Sequence, residues 1–202
     1  MSITAIPRLA SPDAELSAAL AERERRVAEG SALLHAGALA VVRLSARMPA
    51  SLRRRGMAGV PIARGAALFE SECRRRALHL KYEGGGDGAL GPWLLWSSSA
   101  PPLALKTAAL YVEESSWLGL LLDLDIQGSQ GAIGRAELCL PPRSCVICGG
   151  PSMVCSGRLA HPVSSLDAAF MYILKRSGAD RLGSQDGNAV GASTPLTIRE
   201  IA

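Results

Sequence analysis

Asp123 and Asp125 flank a single leucine at the end of an otherwise aliphatic run, Leu118 to Ile126. Side chains alternate faces along an extended chain, so both carboxylates project to the same side. A strand this apolar excludes charge unless a cation or a hydrogen-bond donor offsets the loss of hydration. Two carboxylate oxygens from one strand suit magnesium, which takes one or two carboxylates together with waters and substrate phosphates. The chemistry to expect is phosphoryl or nucleotidyl transfer with Asp123 and Asp125 as catalytic metal ligands and Mg2+ as cofactor.

A second cluster follows within forty residues. Cys145, Cys148, Cys155 and His161 supply three thiols and an imidazole over seventeen residues, a set that can close a tetrahedral, structural zinc shell. Gly149-Gly150-Pro151 would let the chain fold back between them. The competing reading is reduced cysteines packed as small hydrophobes, with His161 capping a turn or serving an active site. Cys73 and Cys139 read as core residues.

The elements that must position these groups can be read from periodicity. Asp13 to His35 reads as a helix with Leu16, Leu20, Val27 and Leu34 near helical spacing, and Gly37 ends it. Ala38 to Leu44 reads as a buried strand closed by Met48-Pro49. Arg53-Arg54-Arg55 reads as a basic loop, Ala63 to Leu78 as a second helix bearing Arg74-Arg75-Arg76, and Glu83 to Gly88 as a flexible connection. Leu90 to Ser97 reads as a strand, Leu103 to Glu114 as a helix and Leu118 to Ile126 as the strand of the two aspartates, followed by a hairpin or tight loop at Gly128 and Gly131. The Gly-, Ser-, Asn- and Thr-rich stretch from Ser177 to the end reads as a flexible tail.

With 202 residues, 48% hydrophobic and 20% charged, the composition suits one globular core and not a disordered chain. No apolar run reaches the length of a membrane helix and Met1 to Ala10 has no secretion signal, so the expected location is cytoplasmic, away from membranes, with thiols reduced. The net charge of +4 arises in the first half: residues 1–100 hold 14 Lys and Arg against 9 Asp and Glu, and residues 101–202 hold 8 against 9. Such an excess can attract phosphate-rich ligands or an acidic partner.

From Pro101 to His161 the chain resembles the citrate lyase phosphoribosyl-dephospho-CoA transferases, also called holo-citrate lyase synthases. The likeness runs through Pro102-Leu103-Ala104-Leu105-Lys106, Glu113, and Leu118-Gly119-Leu120-Leu121-Leu122-Asp123-Leu124-Asp125-Ile126, where the family reads approximately Leu-Gly-Arg-Leu-aromatic-Asp-Ile-Asp-Val. It continues through Arg135, Glu137, Leu140-Pro141-Pro142-Arg143-Ser144-Cys145-Val146-Ile147-Cys148, Val154-Cys155 and His161, with a fainter echo at Arg23-Glu24-Arg25-Arg26-Val27-Ala28. The resemblance implies an α+β fold, a single mixed nucleotidyltransferase-type domain over residues 1–176 with a disordered tail at 177–202. It implies transfer of phosphoribosyl-dephospho-CoA from triphosphoribosyl-dephospho-CoA to a serine of the citrate lyase acyl-carrier subunit, with release of pyrophosphate. Lys106, Gly119, Arg135, Arg143 and His161 then fall in substrate-binding positions.

The chain departs from that pattern at Leu120, where the family has Arg, at Glu114 and Ser116, where it has histidines, at Gly157, where Arg158 stands one place late, and at Pro49 to Arg53, which replaces a Gly-Pro-x-Lys loop. Two alternatives stand beside the enzyme. One is an inactive relative serving as a carrier-binding scaffold. The other is a zinc-knuckle module binding nucleic acid through Arg53–Arg55 and Arg74–Arg76, a reading disfavoured by the few aromatic residues available for base stacking.

Overall fold

Residues 12–180 are described by the computed structural model. They run α1 (Pro12–His35), β1 (Ala40–Ala46), α2 (Ala50–Arg54), α3 (Gly59–Arg75), β2 (Lys81–Gly86), β3 (Trp93–Ser98), α4 (Pro102–Glu114), β4 (Leu122–Gly128), β5 (Gly131–Ile133), α5 (Ser152–Gly157) and α6 (Val163–Ser177). The five strands form one antiparallel sheet in the order β2-β3-β1-β4-β5, and the fold is the mixed α+β arrangement expected.

Alternation along the strands decides which face is which. Val42 and Leu44 of β1, Trp96 of β3, and Leu122, Leu124 and Ile126 of β4 are buried in one large cluster with Phe69 of α3, Leu105, Ala109 and Val112 of α4, and Phe170 and Leu174 of α6. Each fully buried Leu or Ile contributes about 1.5–3 kcal/mol. The opposite face is covered over part of its width by α1, where Leu33 and Leu34 pack on Val41, Trp93 and Leu95.

Before Leu33 and Leu34, the face of α1 that docks is not the leucine stripe. Leu16, Leu20 and Val27 are exposed, whereas Glu22, Arg26 and Gly30, four residues apart, are buried. Arg26 Nε donates to Glu22 Oε1 at 2.9 Å and Nη2 to the Gly91 carbonyl at 2.7 Å, while the Leu90 N–H donates to Glu22 Oε2 at 2.9 Å. The Arg26 guanidinium lies 5.0 Å from the Trp93 ring centroid. A buried ion pair that also satisfies the β2–β3 connection thus docks the helix where leucines were expected to.

Several boundaries move. Arg53 and Arg54 belong to the short helix α2, in which Leu52 is fully buried and Arg53 donates to the Met48 carbonyl. The glycine run read as a connection is the edge strand β2: a Cβ at Gly85 would lie 2.4 Å from the Trp93 carbonyl oxygen, so glycine is what lets the two backbones approach. Residues 118–121 are not strand: Gly119–Leu121 form a 3-10 turn and the strand starts at Leu122. The hairpin at Gly128 and Gly131 is the β4–β5 turn. Cys73 is buried as expected, but Cys139 is exposed and left-handed, with φ 55°. Within the expected tail, Ser177 ends α6 and Ala179 is buried in the core cluster; residues 181–202 of that tail lie outside the described residues.

At the end of α3 the buried Glu72 accepts from Arg75 Nε at 2.8 Å and Arg76 Nε at 2.5 Å. The Arg75 bond, aided by Arg76, holds its carboxyl below the ordinary range of about 4.5 against the opposing effect of burial. A depressed folded-state value stabilises the fold above the unfolded value and loses that contribution as pH falls through the folded one. In urea unfolding, wild type should therefore exceed Glu72→Gln at neutral pH, with the gap closing below pH ~4.5. A gap that does not change with pH would contradict this.

Candidate active site on the open face of the sheet

Asp123 and Asp125 stand on the face of β4 opposite the core, two residues and about 7 Å apart along the strand. Their side chains are 48% and 55% exposed, so they border solvent and are not enclosed as the apolar run suggested. In the register, Asp123 faces Ser45 and Asp125 faces Arg43. Arg43, Ser45 and Arg47 occupy alternate positions on and after β1, so the period that turns Val42 and Leu44 inward turns these three toward the aspartates.

Three arginines border the pair. Arg43 Nη2 lies 3.7 Å from Asp125 Oδ2, and Arg143 Nη1 lies 3.4 Å from Asp123 Oδ1. Arg47 Nη2 donates to the Ser144 carbonyl at 3.0 Å. Burial and the neighbouring Arg143 charge lower the Arg47 guanidinium to about 10, with Asp123 among the groups opposing the shift. Although half exposed, Asp125 has its carboxyl pushed above the usual range, first by packing around it and then by the Asp123 charge, with Arg43 and Lys106 opposing. Neither Arg43 nor Arg47 was singled out in the sequence; their alternation with the apolar residues of β1 was the available signal.

Behind the aspartates, side chains replace a missing strand. β5 pairs only with residues 126–128 of β4, leaving the groups of Leu122 and Leu124 on that edge without a ladder partner. The buried Glu113 accepts the Leu124 N–H on Oε1 at 2.7 Å, the buried Lys106 donates to the Leu124 carbonyl at 3.0 Å, and Arg143 Nη1 donates to the Leu122 carbonyl at 3.0 Å. Arg143 Nη2 also pairs with Glu113 Oε2. The attraction of Glu113, Asp123 and Asp125 outweighs burial and raises the Arg143 guanidinium further.

The remaining residues divide into two groups. Gly119 is buried where the chain passes the end of α4: a Cβ there would lie 2.3 Å from the Val112 carbonyl oxygen and 2.5 Å from that of Glu113. Gly119→Ala is therefore expected to destabilise the fold by about 1–3 kcal/mol, as overpacking does, measured by chemical denaturation; an unchanged midpoint would deny the close approach. Arg135 binds the Pro141 carbonyl and Glu114, tying the loop after β5 to α4. Ser116 Oγ accepts the Gly119 N–H at 3.3 Å. The two positions that differ from the family's histidines thus have local partners. Leu120 is half-buried against the core cluster.

Cys145, Cys148, Cys155 and His161 converge, with one ligand atom from each lying within 4.8 Å of the others. Burial raises the Cys145 thiol, but the N–H groups of Cys148 and Ile147 and the neighbouring thiols bring it down to about 7. A separate cavity of about 430 Å³, lined by Leu33, His79, Glu83 and Ser97–Ser99, lies toward the Ala40 end of β1, away from the aspartates.

Comparison with known proteins gives the class first: the relatives are named as transferases. A model of the family described as apo-citrate lyase phosphoribosyl-dephospho-CoA transferase matches residues 14–177, and the chain belongs to that family. Its relatives include proteins of that name from Escherichia coli O139:H28 and from Shigella boydii serotype 18, each 26% identical over 163 residues, covering 80% of this chain and 89% of theirs. Among the described residues no helix is long and apolar enough to cross a membrane.

Proposed function

We propose that this chain transfers phosphoribosyl-dephospho-CoA from triphosphoribosyl-dephospho-CoA to a serine of the acyl-carrier subunit of citrate lyase, in the cytoplasm, releasing pyrophosphate. The observation that carries this reading is the pair Asp123 and Asp125 on an open sheet face bordered by Arg43, Arg47 and Arg143. In the reaction the serine oxygen bonds to the phosphorus nearest the ribose as the bond from that phosphorus to pyrophosphate breaks, and the serine proton passes to solvent or a nearby base.

The donor set fits magnesium: two adjacent carboxylates, one held above its usual range partly by the other's charge, on a face open to water and phosphate. Asp123 and Asp125 would hold the ion, which when bound offsets the triphosphate charge and stabilises the departing pyrophosphate. The arginines orient the donor through charge-assisted hydrogen bonds to phosphate oxygens. Lys106, by contrast, is buried with its Nζ on a backbone carbonyl, so it supports β4 and tunes Asp125 rather than clamping phosphate.

The nucleic-acid reading is weakened by the engagement of three of its six arginines within the fold, Arg75 and Arg76 with Glu72 and Arg53 with the Met48 carbonyl. Incubating the protein with Mg2+, the triphosphoribosyl donor and the apo acyl-carrier subunit, then weighing the carrier by mass spectrometry, tests the proposal. A carrier heavier by one prosthetic group is expected. An unmodified carrier that still co-elutes with the protein would favour the scaffold.

A further inference from the structure

We infer that Cys145, Cys148, Cys155 and His161 form a structural zinc site whose task is to hold residues 143–161 so that Arg143 reaches β4. The geometry is that of a preformed shell. Cys145 Sγ lies 3.3 Å from His161 Nε2, Cys148 Sγ lies 3.5 Å from Cys155 Sγ, and all four ligand atoms fall within 4.8 Å of one another. Zinc–sulfur bonds of ~2.3 Å in a tetrahedron place two sulfurs ~3.8 Å apart, so an ion enters with small adjustments. The turn that presents the first two thiols is closed by backbone bonds, Cys145 N–H to the Gly150 carbonyl at 2.6 Å and Gly149 N–H to the Cys145 carbonyl at 3.0 Å, with Gly149 at φ 73°.

Burial separates this reading from that of cysteines packed as small hydrophobes. Of the three thiols of the cluster only Cys145 is buried; Cys148 is exposed and Cys155 is partly so. From residue 134 to residue 162, Cys145 is the one buried residue, so the segment has no apolar core of its own. A segment without a core needs a metal or a covalent staple to keep one conformation. What that conformation does is visible next door. Arg143 stands two residues before Cys145 and binds the Leu122 carbonyl, Glu113 and Asp123, and the Ser144 carbonyl accepts from Arg47.

Binding leaves three thiolates on the ion, with His161 coordinating through Nε2, so any protons still on the thiols are released and the cluster carries one net negative charge. That charge lies near Arg47, whose guanidinium interacts with Cys145. The site stands independently of the proposed transfer, and its test reads metal rather than loading.

The full chain is purified from zinc-supplemented culture under reducing conditions without chelator and analysed for metal. About one zinc per chain is expected, and exchange with Co2+ should give the intense visible bands of tetrahedral thiolate coordination. Cys148→Ser and Cys155→Ser should each lower zinc content several-fold, while Cys139→Ser should keep it. Zinc well below one per chain, with Cys145, Cys148 and Cys155 of the wild type all open to thiol reagents, would overturn the inference whether or not the variants fold. So would an intact mass lower by two hydrogens, which would make Cys148 and Cys155 a disulfide staple instead.

Discussion

Replacing Asp123 or Asp125 by Asn is expected to reduce carrier loading by about 100- to 1,000-fold, the usual effect of removing one preorganised electrostatic group from a transfer site. Amides keep the shape of the carboxylates but do not hold the hard dication that would offset the charge of the donor's triphosphate. Stability should not fall. Asp123 and Asp125 raise each other's energy, and packing disfavours the Asp125 charge, so a neutral side chain at either position relieves that repulsion, which offsets the loss of half-exposed attractions to the neighbouring arginines. The paired measurement is loading by mass spectrometry and unfolding in urea on the same preparations. Loading that matches wild type in both variants would remove the two aspartates from catalysis, and unfolding at low urea would show that they serve the fold.

Glu113→Ala should have the opposite profile, with a loss of about 3–5 kcal/mol in stability, the cost of breaking a buried charged pair by removing one partner. Folded domains have only about 5–15 kcal/mol in total, so this one change should bring the protein near unfolding at ambient temperature. The reason is the number of groups left unpaired: the Leu124 N–H, the Arg143 guanidinium and, through the shared strand edge, the alignment of Lys106. Glu113→Gln keeps an acceptor for Leu124 and loses only the charge, so its denaturation midpoint should fall between those of wild type and Glu113→Ala. Equal losses in the two variants would mean that the charge, and not the backbone bond, carries the effect.

The aspartate pair was legible because a period of two survives translation from sequence to strand: Leu122, Leu124 and Ile126 went to the core and Asp123 and Asp125 to the other side. Helix α4 was legible for the same kind of reason. The misreadings share a cause, which is that local composition does not record what the chain passes close to. Leu118 to Leu121 is as aliphatic as a strand, yet it turns because Gly119 must clear the end of α4. Glycines 84–86 look like part of a flexible connection, yet they form a strand that lies tight against Trp93 and Leu94. Glu22 and Arg26 look like solvent-facing charges and are buried as a pair, while the leucines beside them are exposed. Lys106 and Glu113 matched the family pattern, but no spacing rule could reveal that their partner is the uncovered edge of β4, because that depends on β5 being three residues long.

That short β5 has a consequence for how damage here would appear in a cell. Because Lys106, Glu113 and Arg143 complete the strand that carries the aspartates, a substitution among them strikes folding before chemistry. Such variants should be cleared by proteases and found at low abundance, since a loss of one or two kcal/mol is enough to change steady-state levels several-fold. Substitutions of Asp123 or Asp125 should instead accumulate as intact, silent protein, still able to occupy the carrier and to compete with working copies for it.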